Sequence, residues 1–275
     1  MTGQHLINVY NLRVVSDLTG GGIIRAPGVA EVIAGRLRDL ILDGKLADGE
    51  RLPPLDTLVE QFKVSGPSMR EAMRILEAEG LLVVQRGSLG GAVVHRPTPK
   101  TAAYILALVL RGSGTKKGDV AEALSLLTPL SATLCARRPD RKRTFLRDLR
   151  AANKRARGLV DADLNEFNEA MIHFHALLVN ECGNDTLKLV IRALGSVWRA
   201  DVRTWLESVT DHGQYPGAEA RLVDVEDHEH VTELIAMGDD VGAGTAMAQH
   251  LSGMRIYADG PDPSDLIDPQ AVRHR

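Results

Sequence analysis

From Val29 onward, apolar residues recur at spacings of three and four. Val29, Val32, Ile33, Leu37, Leu40 and Ile41 share one face, which predicts an amphipathic helix. Asp43-Gly44 ends it, because glycine accepts the left-handed C-cap conformation. Leu46–Pro54 is rich in turn formers. Pro53 and Pro54 stand where a second helix can begin without the N–H groups they lack. Leu55, Leu58, Val59 and Phe62 mark that short helix. Lys63 to Gly66 makes a turn, and Pro67–Glu79 a third helix, capped by Ser65 or Ser68, with Met69, Met73 and Leu76 facing inward. After Gly80 the period becomes that of strands. Leu81–Gln85 runs out, a glycine-rich turn follows from Arg86 to Gly91, and Ala92–His95 returns.

Pro97-Thr98-Pro99 reads as a stiff linker, and everything beyond it reads as helical. Val120, Ala123, Leu124, Leu127, Leu130 and Leu134 form one apolar stripe, and Leu164, Phe167, Met171, Phe174 and Leu178 another. A third runs from Leu187 to Trp205. Glu207–Ala220 reads as a loop, and two more helices are expected over Val223–Met237 and Asp239–Tyr257. The fold class is therefore mainly α: an N-terminal winged helix-turn-helix followed by a C-terminal all-α antiparallel helical bundle. The expected divisions are a flexible arm (1–27), the winged-helix domain (28–96), a linker (97–100), the all-α domain (101–258) and a C-terminal tail (259–275).

Composition narrows the function classes. With 33 Lys and Arg against 36 Asp and Glu, the net charge is −3, so this is no polybasic nucleic-acid coat. Cys135 and Cys182 are too few for a disulfide scaffold and suit a reducing cytosol. The longest apolar run, Ala102–Leu110, has nine residues, about half of what a bilayer helix needs. Residues 1–27 hold no apolar signal segment. A cytoplasmic protein with no membrane partner is expected. The chain shows no nucleophile–base pair, and the glycines of 87–91 open no helix, so they make no phosphate cradle.

Three helices, a tight turn between the second and third, and a two-stranded wing form the layout in which the third helix enters the DNA major groove. Its opening carries Ser65, Gly66, Ser68 and Arg70, and the wing turn carries Arg86. Arg74 is expected in an ion pair within the domain. The segment Leu37–Val94 resembles the DNA-binding domain of GntR-type bacterial transcription regulators. The matching words are Leu40-Ile41-Leu42-Asp43-Gly44-Lys45-Leu46, Gly49-Glu50-Arg51-Leu52-Pro53, Val64-Ser65-Gly66-Pro67-Ser68-Met69-Arg70-Glu71-Ala72-Met73 and Leu76-Glu77-Ala78-Glu79-Gly80-Leu81, with Arg86-Gly87…Gly90-Gly91 in the wing. The resemblance implies a double-stranded DNA operator read by a homodimer. Two positions depart from it. Asp56 stands where the family has an arginine at the start of the first reading helix. Gly66 stands where it has one just before the recognition helix. Residues 28–96 hold nine Lys and Arg against ten Asp and Glu, so modest affinity per half-site is expected.

Of nine histidines, His175, His228 and His250 fall on three neighbouring helices, whose side chains can converge on one interior point. Residues 100–257 resemble the FCD ligand-binding domain of the FadR branch of the same family. The matches are Phe174-His175…Gly183-Asn184, Asp227-His228, Gly238-Asp239 and Ala246-Met247…His250-Leu251. The resemblance implies that three histidines and an aspartate bind a divalent metal (zinc, nickel or manganese), which helps hold a small carboxylate effector. The aspartate belongs four residues before the first histidine, where this chain has Met171. A thioether is a poor ligand for such ions, although three imidazoles and a water still make an open zinc-type site. A metal-free polar pocket and three unrelated structural histidines remain alternatives. Met171, Asn168 and Leu124 are the expected effector-pocket residues. Leu124 and Ser125 stand where relatives carry an arginine for the effector, which points to a larger or more apolar acid, such as a lipid-derived one or its thioester. His173 and His230 lie off the converging faces.

Between Arg137 and Arg157 stand ten Lys and Arg against two Asp. This is a solvated helix face or a supplementary phosphate-contact surface. The reading is a small-molecule-controlled, sequence-specific DNA-binding transcription regulator. Two alternatives stand beside it. One is a regulator that has lost base readout at Asp56 and Gly66 and acts by pairing with another protein. The other is a three-histidine metalloenzyme, which needs a general base beside the metal. Asp227 and Glu229 flank His228 in sequence, but as adjacent helical positions they are expected to point elsewhere.

Overall fold

The computed structural model describes residues 28–85, 91–211, 217–252 and 265–273. The chain divides into two compact units between Arg96 and Pro97. In the first unit, α1 (Val29–Leu42), α2 (Leu55–Phe62) and α3 (Gly66–Ala78) precede β1 (Leu82–Gln85) and β2 (Gly91–Val94). The strands pair antiparallel, with Leu82 opposite Val94 and Gln85 opposite Gly91. Ile33, Leu37 and Ile41 of α1, Leu58 of α2, Met69 and Leu76 of α3, and Leu82 and Val94 of the strands share one core. α1 turns a narrower face inward than its pattern suggests. Val29 and Val32 are 57% and 59% exposed, since Val32 lies about 100° round the helix from Ile33 and Val29 opens the first turn.

The connection Leu46–Pro54 is more ordered than a turn. Gly49 N–H donates to Val94 C=O at 2.9 Å and Leu52 N–H to Ala92 C=O at 2.9 Å, while Arg51 bridges Val93. These residues therefore extend the wing beyond β2, and Leu52 is buried beneath it. Lys63, in the left-handed region at φ 53°, reverses the chain between α2 and α3. Arg38 forks onto Glu79 through Nε at 2.8 Å and Nη2 at 2.5 Å, fastening α1 to the end of α3.

The second unit holds α4 (Pro99–Gly112), α5 (Lys117–Arg137), α6 (Arg141–Thr144), α7 (Leu146–Arg157), α8 (Leu164–Glu181), α9 (Asp185–Asp211), α10 (Ala218–Met237), α11 (Asp240–Ser252) and α12 (Pro269–Arg273). Helices α5, α7, α8, α10 and α11 bury Leu149, Phe174, Leu178, Val231, Ile235 and Met247 in the largest cluster. A second cluster joins α4, α5, α9 and α12 through Ala107, Leu124, Val197, Ile267 and Val272.

Three expectations are corrected here. The linker is shorter than 97–100, because Thr98 caps α4 by accepting from Thr101 N–H at 3.3 Å, and Pro99 sits in the first turn. Residues 207–211 and 218–220 are helical: no Gly or Pro interrupts 207–211, and α10 opens directly after Gly217. The tail is docked over residues 265–273. Lys117 N–H donates to Asp265 C=O at 3.0 Å, Asp268 Oδ1 accepts from Gln270 N–H at 2.9 Å, and Ile267 and Val272 are buried. An acidic cap followed by proline and two apolar anchors is enough to seat this short helix.

Candidate functional site

The first site is the opening of α3. Ser65 caps the helix: its Oγ accepts from Ser68 N–H at 3.2 Å and lies 2.8 Å from Ser68 Oγ. Both hydroxyls are thus engaged in holding the first turn. Arg70 is exposed one turn on, and its guanidinium folds back over Gly66. A Cβ at Gly66 would stand 3.4 Å from Arg70 Nη2, in ordinary contact. Arg74 pairs with Glu71 at 2.9 Å. Asp56 is exposed in the first turn of α2, where the helix dipole favours it and a phosphate would not. Arg86 lies outside the described residues.

Several arginines of the basic run are paired at the surface of the bundle. Arg150 forks onto Glu233 at 2.9 and 3.1 Å, and Arg157 onto Glu229 at 2.6 and 2.9 Å, along the α7–α10 seam. Arg137 pairs with Asp240, and Arg138 with Asp140 and Glu181. These partners account for the seam arginines without invoking phosphate.

The second site is the histidine cluster. His175 on α8, His228 on α10 and His250 in the last turn of α11 meet in the bundle. His228 Nε2 lies 3.2 Å from His175 Nε2 and 3.0 Å from His250 Nε2. Phe174 stacks on the His228 ring, with centroids 4.0 Å apart and planes 17° from parallel, and sets its tilt. The Nδ1 atoms of His175 and His228 are sealed and reach no hydrogen-bond partner among the described residues. Burial, reinforced by the neighbouring His250, drives the His175 imidazole down to about 3. Burial, with both other imidazoles, drives His228 well below the ordinary histidine range. Both rings are therefore neutral at physiological pH, the state in which imidazole binds metal.

The geometry fits a divalent cation. Two tetrahedral Zn–N bonds of about 2.0–2.1 Å put their nitrogens about 3.3–3.4 Å apart, close to the spacings found. Three converging Nε2 atoms are also a poor hydrogen-bonded set, since each pair needs one donor and one acceptor. Hence His175, His228 and His250 could hold a cation.

The other expected residues are divided between two apolar clusters and the half-buried side of α8. Met171 is buried with Ala156, Val160, Phe167, Ala170 and Val225 in a separate apolar cluster. Leu124 belongs to the cluster of α4, α9 and α12, and Asn168 is half-buried on α8. Met171 and Leu124 thus occupy different apolar clusters. His173 and His230 are exposed.

Asp227 adds to the sequence reading. It does point away from His228, as adjacent helical positions do, but toward another ligand candidate: its Oδ2 lies 3.3 Å from His250 Nδ1. Asp224, one turn before His228, joins Asp227 and His250 in a second cluster whose ligand atoms lie within 4.8 Å of one another. Burial first, then the Asp227 charge, push its carboxyl up, against the pull of His250. The four-residue spacing of Asp224 and His228 was a visible signal, because it places both on one helix face.

A capped reading helix with an extended wing, and a helical bundle with a buried histidine cluster, define a winged-helix regulator with a ligand-binding domain. The chain belongs to the bacterial regulatory proteins of the gntR family: residues 29–93 match that family and residues 119–253 match the FCD domain. The HTH-type transcriptional regulator LutR of Bacillus subtilis is 28% identical over 228 residues, spanning 80% of this chain and 97% of LutR. The HTH-type transcriptional repressor NanR of Cronobacter sakazakii is 25% identical over 248 residues, spanning 87% of this chain and 90% of that protein. The solved structure of Streptococcus agalactiae GntR superposes with a TM-score of 0.59 at 23% identity, over 83% of this chain and 100% of that one, a likeness of fold.

Proposed function

We propose that this chain is an effector-responsive transcription regulator that reads a double-stranded operator as a homodimer. Its bundle binds a small organic acid with the help of a divalent cation (zinc, nickel or manganese) at His175, His228 and His250. The observation that carries the DNA reading is Arg70, exposed over Gly66 at the opening of the reading helix while Arg74 is paired internally. A two-fold dimer matches two half-sites about one helical turn apart. Effector binding shifts the population between two placements of the recognition helices. The bound cation supplies positive charge for an effector carboxylate. Leu124 and Ser125, standing where relatives carry an arginine, favour an acid with a substantial apolar part. The place of action is the cytoplasm, with the chromosome; among the described residues no helix is long and apolar enough to cross a membrane.

The test is selection of fragmented genomic DNA by the purified full-length protein, with Arg70→Ala as control. An inverted repeat recovered by the protein and lost with the variant supports the reading. Equal recovery by both, or no specific fragment, overturns it. The second reading, pairing with another protein, would then lead. Exposed Asp56 and the missing arginine at Gly66 are what favour it.

A further inference from the structure

The histidine cluster offers three imidazole donors and no carboxylate at position 171. Met171 is buried among apolar neighbours on α7, α8 and α10 and brings no charge. An anion nevertheless stands behind the cluster. The two ring nitrogens of His250 face different partners. Nε2 lies 3.0 Å from His228 Nε2, inside the cluster, and Nδ1 lies 3.3 Å from Asp227 Oδ2, at its edge. The His250 side chain is 8% exposed and that of Asp227 45%, so the carboxylate reaches in from the rim. An ionised carboxylate only accepts hydrogen bonds. The contact therefore places the proton on Nδ1 and leaves the Nε2 lone pair aimed at the other imidazoles. His175 and His228 have no such partner at Nδ1 among the described residues. The support is concentrated on one ring.

We propose that Asp227 is the positioning residue of this centre. It holds His250 in the Nδ1–H form and supplies, from behind the ligand, the negative charge that Met171 does not supply from in front. This rests on the metal reading above. A carboxylate hydrogen-bonded to a ligating histidine fixes the ring and raises its basicity. It thus recovers part of what a direct carboxylate ligand contributes. The arrangement also couples two helices. α10 carries both a donor, His228, and the residue that orients the donor of α11.

The experiment titrates the full-length protein with zinc chloride against a competing chelator dye, for the wild type, Asp227→Asn and Asp227→Glu. Nitrogen-15 spectra of the metal-free proteins report the His250 tautomer. Asp227→Asn is expected to weaken zinc binding about 10–100-fold and to dilute the Nδ1–H tautomer, with the helical circular dichroism unchanged. Asp227→Glu, which keeps the charge, is expected to recover most of the affinity. Zinc affinity within twofold of wild type for Asp227→Asn overturns the proposal, whatever the tautomer, and leaves the metal reading standing. Failure of the wild type itself to bind zinc, nickel or manganese removes the metal reading and the role of Asp227 with it.

Discussion

At Gly66 the Arg70 guanidinium packs over the backbone of the first turn of α3. An arginine added at 66 would still fit, because its Cβ meets Arg70 at 3.4 Å, an ordinary contact. Gly66→Arg is therefore expected to keep the fold and add one phosphate contact. The slope of log affinity against log salt for arbitrary duplex DNA should steepen by about 0.9, measured by fluorescence anisotropy across a salt series. An unchanged slope would mean that position 66 faces away from the backbone. Ser65 shows the limit of sequence reading at this scale. Its spacing allowed a DNA contact or a helix cap, and the bond from Ser68 N–H shows the cap without deciding the DNA contact.

At the scale of elements, α5 and α11 make the closest seam in the bundle, and it depends on small residues. Ala132 and Ala136 of α5 and Ala243 and Ala246 of α11 are buried together. A Cβ on Gly244 would run into Thr133 Oγ1, with Pro129 C=O 3.7 Å away. Gly244→Ala should cost about 1–3 kcal/mol by overpacking. Thr133→Ala in the same chain should restore much of it, because it removes the atom in the way. Urea midpoints of the four proteins check this, and a Gly244→Ala as stable as wild type would sink it. Helix existence was legible along the chain because periodic apolar stripes survive tertiary packing. Element ends were not: Thr98-Pro99 and Asp268-Pro269 look like linker and tail punctuation, yet both open helices. Proline serves equally as a breaker and as a first-turn residue, and only the apolar anchors beyond it decide which. The three histidines were legible from helix faces and resemblance together. Asp227 was not, because its partner His250 lies on a different helix and cross-helix pairs leave no periodic trace.

For the molecule as a whole, the buried histidines make bundle stability a function of pH. His175 titrates near 3 and His228 well below the usual range when folded, whereas both titrate near 6.5 when unfolded. Between those limits the unfolded chain binds protons that the folded chain refuses. The stabilising contribution is thus complete above about pH 6.5 and is lost as pH falls toward 3, by about 1.4 kcal/mol per pH unit for each ring. Asp224, whose carboxyl burial pushes up, acts in the opposite direction, so a variant comparison is needed to isolate the histidines. In chelator-treated protein, the urea midpoint of the bundle should fall steeply between pH 6.5 and 5, and less steeply in His175→Asn. Parallel pH profiles for wild type and variant would refute the assignment. A saturating divalent cation should raise the wild-type midpoint and raise that of His175→Asn far less, because ligation stabilises the neutral ring in the folded state alone. The same protons that loosen the bundle compete with the cation for His175 and His228. Acid should therefore release the cation as His175 and His228 take up protons.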